Sequence, residues 1–343
     1  MNVGRILNYN YTKMKRTIAI VAGGDSSEHD VSLRSAQGIL SFMDKERYDC
    51  YIVEIKGKCW EVIYEGQKYP IDRNDFSFIV HDERRTFDFA YITVHGTPGE
   101  NGILQGYFDL IGMPYSTSDV LVESLTFNKF ALNGYLRNFP DLHISDSILL
   151  REGEMRMGDA EIISRIGLPC FVKPNAGGSS FGVTKVKTQE ELSVAIEKAL
   201  KECDEVMVEK ILVGTEITCG CYRKSSSDIV VFPITEVVTS QEFFDYDAKY
   251  NNKSEEITPA RIFPETASRV SEMTKRIYRL LNCYGIIRID YILSGEPGKE
   301  QINLLEINTT PGMTATSFIP QQVRAAKLEM KDVLSDIIEG KMS

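Results

Sequence analysis

Two apolar segments, IIRIDYI (286–292) and INLLEIN (302–308), constrain the fold more than any other part of the chain. The stretch Ser-Gly-Glu-Pro-Gly-Lys between them carries the glycines and proline of a turn, so the pair reads as a β-hairpin. Residues two apart share a strand face, which groups Arg288 with Asp290 and Glu306 with Asn308. Ile287, Ile289, Leu305 and Ile307 are then expected on the opposite face. Three oxygen-bearing side chains and a cation on strands this apolar are costly if buried without partners. One reading is a solvated face or a structural Arg–Asp pair. The other is a site for a hard cation such as Mg²⁺, which takes carboxylate and amide oxygens and shares nucleotide phosphate. Arg288 is then free to stabilise an anion that develops during a reaction.

A Gly/Ser loop (176–182, AGGSSFG) follows Lys173 at the end of an apolar strand. Glycines let backbone N–H groups turn toward phosphate oxygens, and the lysine adds a point charge. Such a loop is often a plain turn, and neither GxxxxGK[ST] nor GxGxxG is present; the acidic hairpin downstream makes the combination a phosphate-plus-magnesium constellation. His95-Gly-Thr-Pro-Gly-Glu-Asn-Gly102 follows another strand. It is either a glycine-rich loop with a capping His or a charged or donor imidazole facing a carboxylate. Glu28 enters a helix, where an acid commonly only opposes the helix dipole. Lys129, near a helix start, is unfavourable with that dipole and argues for an anionic ligand. Residues 240–259 are polar and lack any period, which at this length reads as a functional lid.

The scaffold begins with TIAIVA (17–22), a continuous apolar run of the kind a buried parallel strand shows. Gly23-Gly24 turns the chain, and Ser26 or Ser27 is placed to cap a helix bearing Val31, Leu33, Ile39, Leu40 and Met43. A second strand is expected at 48–55 and a third at 87–94, giving an open α/β sheet. Ligands in such sheets sit beyond the strand C-termini, where 23–28 and 95–102 fall. After 117–119 the pattern changes to a helix at 128–136, a strand at 170–174, a helix at 189–203 and a strand at 205–212. From Glu216 onward the strands alternate polar and apolar residues, as in a sheet with one wet face. Residues 1–13 are polar and patternless; 1–14 reads as an extended or disordered leader, or 1–13 as sequence upstream of a true start at Met14.

With 343 residues, 43% of them hydrophobic, the chain can build an ordinary core in about two domains. Its net charge of −10 disfavours nucleic acid and anionic membrane surfaces. No apolar run approaches the ~20 residues of a membrane helix. Seven cysteines, odd in number and without CxxC, read as buried reduced thiols and a cytoplasmic location.

Six segments in order carry a resemblance: GGDSSEHDVSL (23–33), VHGTPGENGILQG (94–106), FVKPNAGGSSFGV (171–183), FFDYDAKY (243–250), RID (288–290) and LLEINTTPGMTATS (304–317). Together they resemble the D-alanine–D-alanine ligase family of the ATP-grasp superfamily, from about Lys15 to Pro320. The resemblance implies an α/β and α+β chain: an N-terminal open α/β, Rossmann-like domain (15–118), then a two-subdomain ATP-grasp fold. The subdomains are a central one (119–210) and a C-terminal one (211–343) with the lid 240–259. The implied activity is ATP-dependent ligation of two D-alanines to D-alanyl-D-alanine through an acyl phosphate, for peptidoglycan precursors. A homodimer, ATP and two Mg²⁺ (or Mn²⁺) ions are implied with it, and no nucleic-acid or membrane partner.

Carried over by position, Asp290, Glu306 and Asn308 resemble the metal ligands, and Lys129, Lys173, Ser180 and Lys249 the ATP-phosphate contacts. Glu209, Lys210, Leu212 and Glu216 resemble the adenosine-binding strand and hinge. Glu28 is implied to hold the first ammonium and to bond toward Ser179 and Tyr250. His95 is implied to face the first carboxylate, and Ser317 with Phe318 the second. Arg288 and the Gly312 N–H match the oxyanion donors. Phe244 stands where many relatives carry Tyr, and Asn101 where Asp is commoner. Tyr250 resembles lids of ligases that use an amine acceptor, which favours D-alanine over D-lactate; D-serine is a further alternative acceptor.

Overall fold

The computed structural model describes residues 15–154, 157–178, 181–239 and 254–342. The leader 1–14, Ser179, Ser180 and, within the expected lid, Phe244, Lys249 and Tyr250 lie outside the described residues.

The N-terminal part is a seven-stranded sheet. Its centre is β1 (Arg16–Gly23), parallel to β2 (Tyr48–Lys56) and β7 (Phe89–Ile92). Ile18 to Ala22 are fully buried, as the unbroken apolar run requires. Helix α1 (His29–Phe42) makes the crossover between β1 and β2. It starts later than the serines suggest. Glu28 is the cap residue, and no side chain caps the helix. Ser26 Oγ instead donates to the His95 carbonyl (2.8 Å) and accepts from the Glu28 N–H (3.2 Å), tying two loops together.

Between β2 and β7 the chain inserts an antiparallel meander: β3 (Cys59–Tyr64), β4 (Gln67–Asp72), β5 (Ser77–Val80) and β6 (Glu83–Arg85). The strand at 87–94 is therefore the seventh and not the third. These strands are short and polar at the edge, and their two-residue turns use Glu65-Gly66 and His81-Asp82 at positive φ rather than the usual Asn-Gly. Two helices, α2 (Ile103–Ile111) and α3 (Val120–Phe127), follow, then α4 (Lys129–Leu136).

A four-stranded antiparallel sheet comes next. It is formed by β9 (Ser147–Arg151), β10 (Cys170–Pro174), β11 (Thr184–Val186) and β12 (Glu205–Lys210), in the order β11-β10-β12-β9. Helices α5 (Asp159–Ile166) and α6 (Gln189–Leu200) pack on it.

The last sheet contains β13 (Thr215–Arg223), β14 (Ile229–Val231), β15 (Thr235–Thr239), β16 (Ser254–Ile257), β17 (Ile286–Ser294) and β18 (Gln301–Asn308), with β8 (His143–Ile144) at its edge. The alternation expected here is absent: β13 is buried continuously from Ile217 to Tyr222. Both faces are covered. Ile217, Cys219 and Cys221 face a core shared with α3, α4 and α7 (Pro264–Leu280). Gly220 and Tyr222 face α8 (Phe318–Ala325) and α9 (Met330–Met342). Ile319, Val333 and Ile337 of these two helices also pack against Ile18 and Ile20 of β1, so the first and last sheets share one core. Among the described residues no helix is long and apolar enough to cross a membrane.

Candidate active site

The hairpin β17–β18 pairs Arg288 with Asn308 and Asp290 with Glu306. The register then slips, Tyr291 facing Leu304, so Leu305 is the extra residue of a β-bulge. Alternation by two fails there. Leu304 enters the core, and Leu305, expected among the core residues, instead lines the cavity over the polar face. The Asp290 carboxylate accepts both Arg288 nitrogens at 2.9 Å, the Thr218 hydroxyl at 2.5 Å and the Asn308 amide at 3.1 Å. Arg288 is therefore locked to Asp290 rather than free. Burial works against its charge, but Asp290 and Glu306 outweigh burial and hold the guanidinium protonated. It also lies 5.3 Å from the centre of the Phe318 ring.

A cavity of about 440 Å³ opens between the four-stranded sheet and β13, β15, β17 and β18. Lys173 and Glu209 meet across β10 and β12 at 2.7 Å, both almost buried, and Asn133 reaches the other Glu209 oxygen. Lys129, the first residue of α4, donates to the Gly177 carbonyl at 2.6 Å. Burial pushes its pKa down, with Glu306 pulling it back up. Lys210, Leu212 and Glu216 line the cavity as well. The sequence reading missed its apolar walls, Phe171, Val183 and Ile211. Phe171 was detectable, since it lies two residues before Lys173 on the same strand face; Ile211 follows the end of β12 and has no such signal.

On the N-terminal side, Glu28 is buried and its carboxylate lies against the Cα of Gly178, where any side chain would strike it. His95 is buried beside Ser35, Nε2 to Oγ 3.1 Å. Burial pushes the imidazole pKa down, and Glu28 only partly offsets this, so His95 is neutral and not the charged group considered from sequence. Ser35 Oγ also accepts from the Met313 N–H (3.3 Å), linking His95 to the loop after β18. In that loop Gly312 lies against the Ser317 side chain, and Ser317 Oγ accepts from the Thr314 N–H (3.1 Å) at the start of α8. Glu100, unremarked in the sequence, accepts from the Gly96 N–H (2.7 Å) and borders the small space between Lys129 and Asn308. Burial and the Glu28 charge push its carboxyl up to about 7. Asn101 donates to Thr97 Oγ1 (2.9 Å) and accepts from the Ile103 N–H (3.3 Å), work an Asp could share only in its acceptor part.

Among the described residues no three His, Cys, Asp or Glu side chains cluster as a metal site. Asp290, Glu306 and Asn308 supply two carboxylates and an amide on one strand-pair face. That all-oxygen, incomplete set fits Mg²⁺ or Mn²⁺ sharing phosphate and does not fit a soft-ligand metal.

A cavity walled by a four-stranded antiparallel sheet and a mostly antiparallel one, with Lys129 and Lys173 at one end and an acidic hairpin at the other, defines an ATP-grasp protein. Family models for the D-ala D-ala ligase N-terminus and C-terminus match residues 17–118 and 139–339. The D-alanine–D-alanine ligase of Phocaeicola vulgatus is 65% identical over 96% of this chain and 100% of its own length. That of Bacteroides fragilis is 62% identical over the same shares. Among solved structures, the VanG D-Ala:D-Ser ligase from Enterococcus faecalis superposes with a TM-score of 0.83 at 29% identity, covering 96% of this chain and 100% of that one. The D-alanine–D-alanine ligase from Bacillus anthracis complexed with ATP gives 0.74 at 27%, covering 95% and 97%. The chain belongs to the D-alanine–D-alanine ligase family and is a ligase enzyme.

Proposed function

We propose that this chain joins two D-alanines into D-alanyl-D-alanine at the expense of ATP, supplying peptidoglycan precursor synthesis in the cytoplasm as a homodimer. The observation that carries the reading is one cavity edged by Lys129, Lys173, Glu306 and the Arg288–Asp290 pair, with Glu28 against Gly178 of its wall. A carboxylate oxygen is a poor leaving group. Attack of the first D-alanine carboxylate on the γ-phosphate makes an acyl phosphate and ADP. The second D-alanine, as its free amine, then adds to the acyl carbon, and the C–O bond to phosphate breaks, phosphate leaving with the proton the nitrogen loses.

Residues 15–118 carry the amino-acid side of the site; 119–210 and 211–343 enclose ATP, with the lid 240–259 over it. Lys129, Lys173, Ser180 and Lys249 hold phosphates in line, where positioning and charge do most of the work. Glu209, Lys210, Leu212 and Glu216 hold adenosine. Glu28, with Ser179 and Tyr250, takes the first ammonium, and His95 faces the first carboxylate. Arg288 and the Gly312 N–H stabilise the tetrahedral oxyanion, and Ser317 with Phe318 receives the second carboxylate. Asp290, Glu306 and Asn308 would hold two Mg²⁺ or Mn²⁺ ions, whose charge neutralises the phosphates. Exposed apolar side chains on α2 and α3 (Ile103, Leu110, Leu121) support the homodimer.

The similarity to a D-Ala:D-Ser ligase makes D-serine the alternative acceptor. ADP release and product mass, with D-alanine, D-serine, D-lactate and L-alanine offered singly and in pairs, test both readings. D-Alanine alone giving D-alanyl-D-alanine supports the first. A mixed product formed in preference to it moves the acceptor, and no product from any of them overturns the ligation.

A further inference from the structure

One half-buried carboxylate beside the site has no task in the chemistry above. Glu256 lies on β16, directly opposite Val237 of β15. Cross-strand partners project to the same side of a sheet. Val237 packs on Phe318 and lines the cavity, so Glu256 faces the wall formed by α8 and Arg288. Its hydrogen-bond partner is a neutral amide: Gln321 Nε2 donates to Oε2 at 2.6 Å and also to the Thr316 carbonyl at 2.6 Å. Gln321 sits one helical turn beyond Ser317 and Phe318. The cation in its field, Arg288, is bound bidentate to Asp290. Burial holds the Glu256 carboxyl above the usual range, against the Gln321 bond and the Arg288 charge. Among the described residues this desolvated carboxylate is compensated by an amide and by a guanidinium already bound elsewhere, which makes it a site that a further cation improves.

We propose that Glu256, oriented by Gln321, binds the ammonium group of the second amino acid and so selects an amine as acceptor. The inference rests on the ligation proposed above and adds to it a residue of the acceptor subsite. The incoming acceptor has a carboxylate for the start of α8 and an ammonium that needs a counter-charge on the same side of Arg288. Glu256 provides that charge from β16.

The test uses the full chain with ATP, Mg²⁺ and D-alanine. Initial rate against D-alanine concentration resolves a donor and an acceptor constant. Glu256→Gln retains an oxygen to accept from Gln321 but removes the charge. The acceptor KM is expected to rise at least ~10-fold, the size of one charged hydrogen bond, with the donor KM and ATP affinity within about twofold. Glu256→Asp should recover part of the loss. An unchanged acceptor KM, or a parallel rise in donor KM and ATP Kd, overturns the inference while leaving the ligation standing. Failure of the unsubstituted chain to form any dipeptide overturns the ligation reading, and the inference with it.

Discussion

At the scale of single residues, the decisive group is Arg288. Its bidentate hold on Asp290 keeps a cation fixed over the polar hairpin face before any substrate arrives. Preorganised charge of this kind contributes mainly where charge develops. Arg288→Ala should therefore lower kcat by about 10²–10³-fold, with ATP Kd changed far less. Steady-state rates and nucleotide titration check this, and an equal loss in both measurements removes the oxyanion role. Glu100 gives a pH prediction. Its carboxyl is raised from 4.5 to about 7, chiefly by burial. Between those values the folded state binds more protons than the unfolded one, so this group makes stability rise as pH falls. His95, pushed down from 6.5, acts oppositely, because the unfolded state gains its proton first as pH falls. In urea unfolding without ligands, Glu100→Gln should remove the Glu100 contribution. It should raise stability at pH 7.5 relative to pH 5 by on the order of 1–3 kcal/mol.

At the scale of elements, Arg288, Asp290, Glu306 and Asn308 were legible because a strand has a period of two. Leu305 was not, because a bulge breaks that period and nothing local marks it. The serines before α1 were misread for a similar reason: a capping residue type signals a helix start only when its oxygen is not engaged elsewhere, and Ser26 is bound to His95. Helix α1 makes a second contact that the sequence hides. Gly38 faces the Met313 carbonyl so closely that any Cβ there would overlap it. Gly38→Ala should push the loop carrying Gly312 away from α1. The expected cost is about 1–3 kcal/mol, with turnover reduced and ATP affinity retained; thermal unfolding and kinetics report on the two separately.

At the scale of the whole molecule, α9 joins the ends of the chain. Glu339 takes Arg16 and Tyr48 of the first sheet and Arg47 of the turn before β2, while Tyr222 of the last sheet donates to Asp336 at 2.9 Å. Val333, Leu334, Ile337 and Ile338 lie fully or almost fully buried in the core shared by both sheets. The first and last sheets should therefore unfold in one calorimetric transition. Truncation before Met330 should split that transition or leave the protein insoluble, since it uncovers Ile18 and Ile20. A truncated chain that still unfolds in one transition at the same temperature would show that α9 does not couple the two ends.

The sequence by itself determined the residue types on offer: oxygen-bearing side chains on one hairpin face, lysines beside a glycine loop, and an open α/β start. Each of these depends on residues close together along the chain, within one strand or one loop. Only the tertiary structure decided that Arg288 is held by Asp290, that Glu28 reaches Gly178, and that Phe171, Ile211 and Leu305 wall one cavity. It also decided that β13 and β17 are buried on both faces, because the covering helices come from segments far before and after them. Periodicity records which side of a strand is apolar; it carries no information on which distant surface will cover that side.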